Sequence, residues 1–213
     1  MKVLLIGGTG TISSSVARLL AESGADLTLL NRGNHSELIP TGAKLIRADI
    51  HDEKTVAQKL KGQNFDAVAD FQVFTPDQAV RDLKLFSGKT RQYLFLSSAS
   101  AYCKPPVSYP VTESDPLRNP YWRYARDKIA CEEVFMGAFR SDGFPVTIVR
   151  PSHTYSDRAV PVAVHGKKGS WQVLRRMLDG KPVIVPGDGL TLWTLTHADD
   201  FARGFCGLLG NPH

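Results

Sequence analysis

Val3-Leu4-Leu5-Ile6-Gly7-Gly8-Thr9-Gly10-Thr11-Ile12-Ser13 sets the architecture near the start of the chain. Four consecutive apolar residues make a strand without a polar face, and such strands belong in a parallel sheet covered on both sides. The glycines that follow allow a tight turn and a close approach of backbone to a ligand. Val16, Leu19 and Leu20 then recur at helical spacing. Strand, glycine-rich turn and helix thus come in the order that aims free helix N–H groups at an anion such as a pyrophosphate. A glycine-rich turn alone is a weak signal, and its placement here is what gives it weight. Ser13 stands where a third glycine would pack helix on strand. It is small, and its hydroxyl can bond back along the helix.

The alternation continues down the chain. Apolar runs predict strands at 27–30, 44–48, 65–71, 93–96 and 146–149, and helical patterns are expected over 52–60, 78–86 and 121–139. Val-, Ile- and Leu-rich strands separated by helices specify an α/β fold with a doubly wound parallel sheet. After Arg150-Pro151 the pattern changes. Residues 155–192 are rich in Gly and Pro, with one helix expected near 171–178 and a short strand at 183–185. A closing helix is expected at about 199–209. The expected division is a core over 1–155, a partial lobe over 156–196 and a closing helix over 197–213 packed back on the core.

The chain has 213 residues, 42% of them hydrophobic and 22% charged. These values exclude a disordered chain, a collagen-like repeat and a disulfide-stapled miniprotein. The net charge of +5 permits an anionic ligand without implying nucleic acid. Cys103, Cys131 and Cys206 are widely spaced and form no CxxC, which reads as free thiols in a reducing cytoplasm. The start, Met1-Lys2 followed by a short apolar run broken by glycines, does not read as a signal peptide. No apolar run approaches the ~18 residues of a membrane span. His35, His51, His153, His165, His197 and His213 show no ligand spacing, so no metal site is expected.

The end of the second strand reads Leu29-Leu30-Asn31-Arg32-Gly33. An NAD site places Asp or Glu here to hold the ribose 2′-hydroxyl, and that carboxylate would repel a 2′-phosphate. Asn31 removes the repulsion and Arg32 supplies a cation that can fork onto phosphate. NADP is therefore favoured over NAD; the competing reading leaves Arg32 as a solvated loop charge.

Tyr124-Ala125-Arg126-Asp127-Lys128 is Tyr-x-x-x-Lys in a helical stretch, with both side chains on one face. A phenol titrates at ~10 in water, and a nearby ammonium is expected to lower that value so that Tyr124 exchanges protons near neutral pH. Leu96-Ser97-Ser98-Ala99-Ser100-Ala101-Tyr102 ends the fifth strand. Ligands of such sheets sit outside the C-terminal strand ends, where a hydroxyl can hold a substrate oxygen beside the tyrosine.

Taken together, these motifs resemble the extended short-chain dehydrogenase/reductase superfamily, in its branch of NAD-dependent epimerases/dehydratases. The resemblance runs from Met1 to about Leu209. It adds Ala48-Asp49-Ile50, Arg150-Pro151-Ser152-His153-Thr154-Tyr155, Gly187-Asp188-Gly189 and His197-Ala198-Asp199-Asp200 to the motifs above. It implies a Ser98, Tyr124 and Lys128 catalytic set, with Ser97 and Ser100 as weaker candidates for the hydroxyl. It implies cofactor contacts at Gly7, Thr9, Gly10, Thr11, Ile12, Asn31, Arg32, Asp49, Ile50, Phe71 and Lys128, and at Pro151 and His153 toward the nicotinamide. Residues 1–155 become the NAD(P)-binding core and 156–196 the substrate lobe.

Several positions depart from the family pattern. Trp193 occupies the place of the arginine that grips the diphosphate in nucleotide-sugar epimerases. Ser156-Asp157 replaces Gly-Pro, and Asp70-Phe71-Gln72 is unusual at the end of the fourth strand. Together with Asn31-Arg32-Gly33, that last stretch resembles a divergent subgroup that includes chloroplast stem-loop RNA-binding proteins. The chain is also short for the family.

The function implied is an NAD(P)-dependent epimerase/dehydratase or reductase acting on a small hydroxyl or carbonyl compound, sugar-like or anionic. The alternative is a non-catalytic dinucleotide sensor or RNA-binding protein on the same fold. Residues 158–181 bear on that choice, with Arg158, Lys167, Lys168, Arg175, Arg176 and Lys181 against Asp179 alone. No stacked aromatic series accompanies them, which weighs against nucleic acid. No membrane partner is expected. The abbreviated lobe should leave an apolar face open to homo-oligomer formation.

Overall fold

The computed structural model describes residues 1–166 and 169–211. Lys167 and Lys168 of the basic cluster, and residues 212–213 of the closing segment, lie outside the described residues. Six strands, β1 (Lys2–Ile6), β2 (Asp26–Asn31), β3 (Lys44–Arg47), β4 (Ala67–Asp70), β5 (Tyr93–Leu96) and β6 (Val146–Val149), form one parallel sheet in the order β3-β2-β1-β4-β5-β6. The strand order reverses between β1 and β4, so the C-terminal ends of these neighbours open a crevice there.

Helices cover both faces. Leu4, Ile6, Val68, Tyr93 and Phe95 pack under α2 (Glu53–Lys59), α3 (Pro76–Phe86) and α4 (Arg123–Asp142). The alternate residues Val3, Leu5, Leu27, Leu29 and Leu94 pack under α1 (Ser13–Glu22) and α6 (Ala198–Leu208). The period of two along the central strands therefore feeds two apolar layers, which is why β1 and β5 read as near-continuous apolar runs.

Helix ends follow local chemistry. Thr75 and Gln78 form a capping box with Pro76 in the first turn of α3. The helix accordingly starts two residues before the expected 78. Gly143, at φ +68°, stops α4. The helix runs from Arg123 to Asp142 rather than over 121–139.

The segment after β6 holds β7 (His153–Tyr155), α5 (Trp171–Leu178) and β8 (Leu195–His197). β7 and β8 pair in parallel as a small second sheet, which was not expected from the sequence. The strand expected at 183–185 does not form. Val183-Ile184-Val185 has the right residue types, but no strand among the described residues pairs with it. Ile184, Leu190 and Leu192 are 76%, 79% and 84% exposed, and Trp193 is half-exposed. No helix among the described residues is long and apolar enough to cross a membrane. Cys103, Cys131 and Cys206 form no disulfide.

One buried side chain fastens the end of α6 to the sheet. Gln92 donates to the Leu208 and Asn211 carbonyls at 2.9 and 3.2 Å and to Thr147 Oγ1 at 3.1 Å, and it accepts from the Gly210 N–H at 2.8 Å. Gln92→Leu keeps the volume and orphans these groups, so it should lower unfolding free energy by about 1–3 kcal/mol, read by urea denaturation. The exposed apolar residues of 184–193 should drive concentration-dependent self-association of the 213-residue protein in sedimentation experiments. Changing Leu190 and Leu192 to Ser should abolish it.

Candidate active site

The glycine-rich turn is locked from several sides. Gly8 lies at φ +80°, and a Cβ there would fall 2.7 Å from Leu29 Cδ2. No larger residue fits. The Gly7 carbonyl accepts from Asn31 Nδ2 at 2.8 Å, while Asn31 Oδ1 accepts from the Gly33 N–H at 2.8 Å. Ser13 Oγ accepts from the Gly10 N–H at 2.9 Å. The serine thus braces the turn that leads into α1 rather than bonding along the helix. α1 starts at this turn with no side-chain cap and no acidic residue in its first turn. Its end is left open to an anion.

Beside the turn is a cavity of about 180 Å³. Gly7, Thr9, Asn31, Arg32, Asp49 and Ile50 line it, all of them expected cofactor contacts. Asn34, His35, His51 and Gln72 also line it and were not among the expected cofactor contacts. Of the other expected contacts, Gly10, Thr11 and Ile12 carry the chain from the turn into α1. Phe71 packs on Phe205 with ring centroids 5.6 Å apart. Pro151 accepts from the Ala99 N–H at 2.9 Å, so it sits against the Ser98 loop. His153 stacks on Trp193 at 4.4 Å, and burial holds its imidazole below the ordinary pKa.

At the C-terminal end of β5, three serine hydroxyls take different partners. Ser97 donates to the buried Glu132 carboxylate, which also receives Arg150 Nε at 2.9 Å and Arg150 Nη2 at 2.6 Å. Arg150 Nη1 reaches Tyr102 Oη at 3.0 Å. Ser100 Oγ donates to Ser98 Oγ at 2.9 Å, and the Ser98 oxygen also accepts from the Ser100 N–H. That leaves Ser98 as the hydroxyl facing Tyr124.

Tyr124, Lys128 and Glu132 follow one another at four-residue intervals along one face of α4. Lys128 is buried, and its Nζ donates to the Val73 and Leu96 carbonyls at 2.6 Å each. The ammonium lies 4.8 Å from the Phe74 ring centroid, 4.9 Å from that of Phe95 and 5.7 Å from that of Tyr124. Two of its three donors are engaged, and one is left. Burial pulls the lysine from its ordinary 10.5 down to about 8. The Tyr124 phenol, expected to lie low, is instead held above its ordinary value by burial, with the Ser98 hydroxyl pulling the other way. The ammonium donates to these two backbone carbonyls and not to the phenol oxygen. Cys131, one turn along, is pushed up to about 12 by burial and stays a thiol.

A second buried network lies under the crevice. Arg81 Nη2 meets Asp82 at 2.6 Å and Asp70 at 3.5 Å, and its Nη1 lies 3.2 Å from His51 Nδ1 on the cavity wall. Tyr93 donates to Asp82 and the Gln72 N–H donates to Asp70. Burial, then the neighbouring Asp82, push Asp70 well above the usual carboxylate range.

The profile of the NAD dependent epimerase/dehydratase family matches residues 3–87 and 78–213. The chain belongs to that family. Its members use nicotinamide dinucleotides. The chain is similar to 2′-dehydrokanamycin reductase of Streptomyces kanamyceticus, at 27% identity over 99% of this chain and 58% of that one. It is also similar to the chloroplast stem-loop binding protein of 41 kDa b of Arabidopsis thaliana, at 27% identity over 99% and 55%. The chain thus spans little more than half the length of these relatives. Among solved structures, the UDP-glucose 4-epimerase of Thermus thermophilus in complex with NAD superposes with a TM-score of 0.80. That match has 23% identity and covers 98% of this chain and 74% of that one.

The buried lysine gives a pH signature. Below pH 8 it is protonated folded and unfolded, and its burial cost is fully present. Between 8 and 10.5 the folded state sheds the proton first, so unfolding takes one up and stability rises with pH. The gain should approach about 3 kcal/mol. Urea denaturation at about pH 7 and about pH 10 should show this gain in the parent relative to Lys128→Met.

Proposed function

We propose that the chain is an NAD(P)-dependent epimerase/dehydratase or reductase acting on a small, sugar-like hydroxyl or carbonyl compound through Ser98, Tyr124 and Lys128. The observation that carries this reading is the convergence of a phenol, a hydroxyl and a buried ammonium beside the ends of β4 and β5. β4 pairs with β1, whose end leads into the glycine-rich turn. Residues 1–155 serve as the dinucleotide core, and 156–196 contribute the substrate lobe.

The phosphates go to the turn and the open end of α1. The adenosine goes to the cavity lined by Asp49 and Ile50. The nicotinamide, when bound, takes or gives a hydride at the substrate carbon. Ser98 holds the substrate oxygen, and Tyr124 exchanges a proton with it. The remaining Lys128 donor would orient the cofactor ribose, and its charge favours a tyrosinate beside a bound substrate oxygen. Asn31-Arg32 carries no carboxylate against a 2′-phosphate, so the cofactor is NADP in preference to NAD. Trp193 stacked on His153 puts a flat aromatic surface, not a cation, at the position of the arginine that grips the diphosphate in nucleotide-sugar epimerases. This favours an uncharged ring substrate over a diphosphate. The plant relative's match over nearly the whole chain keeps RNA binding without turnover as the second reading.

The reading is tested on NADPH-linked turnover of small sugar-like ketones and alcohols. Tyr124→Phe should lose about 10²–10⁴-fold in turnover with cofactor affinity unchanged. Lys128→Met should lose turnover and cofactor affinity together, and Ser98→Ala turnover alone. Full turnover by Tyr124→Phe would refute the assignment. Binding of RNA stem-loops by a protein that turns over no such compound would put the second reading in its place.

A further inference from the structure

Asp70 closes β4 where the strand order reverses against β1, and it is fully buried. Its two oxygens have different surroundings. Oδ1 accepts from the Gln72 N–H and folds Asp70-Phe71-Gln72-Val73 into a turn. Oδ2 has no hydrogen-bond partner among the described residues. Arg81 Nη2 is 3.5 Å from it but 2.6 Å from Asp82, and Arg81 Nε donates to Asp82 at 2.7 Å. Arg81 is thus matched to Asp82, and Asp70 is left over. Burial, and then the charge of Asp82, favour the protonated form of Asp70.

The turn touches both halves of the crevice. The Phe71 N–H donates to the Ile6 carbonyl at 3.1 Å, directly before Gly7. A Cβ on Gly7 would lie 3.4 Å from Gln72 Nε2 and 3.6 Å from Phe71 Cβ, so the turn lies against the glycine-rich loop. One residue further on, the buried Val73 gives its carbonyl to Lys128 Nζ at 2.6 Å. The other acceptor for that ammonium, the Leu96 carbonyl, belongs to β5 and is placed by the sheet. Val73 lies outside both β4 and α3, so the turn alone places its carbonyl.

We propose that Asp70 is a positioning residue: through the Gln72 N–H and the Val73 carbonyl it sets the place of the Lys128 ammonium relative to the glycine-rich turn, and it needs an acceptor oxygen, not a charge, to do so. Its bearing on catalysis rests on the role given to Lys128 under the function proposed above. An ionised Asp70 would set two buried carboxylates against one guanidinium, whereas the neutral acid keeps the acceptor and leaves the network balanced. An apolar side chain would fill the space and leave the Gln72 N–H without its partner. The titratable groups that face Lys128 are Tyr124, Cys131 and Glu132 on its own helix and Asp70 from the sheet.

Lysine labelled with 13C at Cε lets Lys128 be titrated by NMR in the full chain, its signal assigned by its loss in Lys128→Met. The parent should titrate near about 8. Asp70→Asn keeps the acceptor, and its amide can donate toward Asp82 as the neutral acid does, so the proton affinity of Lys128 should stay within about twofold. Asp70→Ala removes the acceptor, and that proton affinity should fall roughly three- to tenfold, because the ammonium stays buried and loses a fixed partner. Asp70→Val, which fills the space that Ala leaves, should match Asp70→Ala. An Asn variant that falls as far as the Ala variant, or an unmoved lysine in both Ala and Val variants, overturns the proposal. Fluorescence titration with NADPH supplies the second readout. Asp70→Ala should weaken binding, and adding Lys128→Met should weaken it no further, since both act on one contact. Additive losses would confine Asp70 to the stability of the fold and overturn its positioning role. A parent that binds neither NADPH nor NADH removes the functional reading, while the lysine titration still decides the role of Asp70.

Discussion

Burying the Lys128 ammonium is the constraint around which the crevice is organised. An ammonium without partners in that position would cost several kcal/mol. The chain meets the cost with the Val73 and Leu96 carbonyls, one beyond β4 and the other closing β5. Those two carbonyls are therefore fixed relative to α4. Because the lysine and Tyr124 are one turn apart, the phenol is fixed too. Phe74 and Phe95 lend their ring faces to the same charge. Helix, strand and turn are held in register by one side chain that itself keeps a donor free.

This arrangement explains why the phenol does not lie low. The interaction that buries the ammonium also aims it at the backbone, away from the tyrosine oxygen. Burial of Tyr124 then dominates, and only Ser98 opposes it. A substrate oxygen placed between Ser98 and Tyr124 would add the missing partner for the phenolate, and a lysine drawn down to about 8 remains charged through the neutral range. On the proposed reading, the proton-exchanging pair is completed by a ligand, with the ammonium 5.7 Å from the tyrosine ring centroid.

The six-stranded sheet was legible because its central strands are largely apolar runs bounded by turn residues, and burial on both faces leaves the sequence no other pattern there. β7 and β8 were not legible. His153-Thr154-Tyr155 and Leu195-Thr196-His197 are three-residue pieces whose partner lies some forty positions away, and nothing local marks either as a strand. Val183-Ile184-Val185 misled for the opposite reason, since β-branched residues favour a strand only where an edge awaits them. At the site, Ser98, Tyr124 and Lys128 lie together because spacing on a helix and position at a strand end survive in the sequence. Glu132, Arg81 and Asp82 lie in helical stretches, where nothing local marks a charge as buried. The one available hint was Glu132 at the next four-residue step after Lys128, on a face otherwise occupied by buried residues.

Those hidden charges explain why the unusual Asp70 is tolerated. It lies beside β1 at the strand-order reversal, fully buried, with Asp82 and Arg81 as neighbours. Two buried carboxylates against one guanidinium would leave a net charge in an apolar layer. Asp70 is the member pushed toward keeping its proton, which leaves Arg81 matched to Asp82. Its other oxygen accepts from the Gln72 N–H and so shapes the turn that delivers the Val73 carbonyl to Lys128. On the opposite side, Glu132 and Arg150 hold Ser97 and Tyr102 on either side of Ser98. The phenol and hydroxyl at the centre are therefore carried by two separately neutralised networks, one under β4 and one spanning β5 and β6. A change at either would move the site through the backbone before it altered Ser98, Tyr124 or Lys128 themselves.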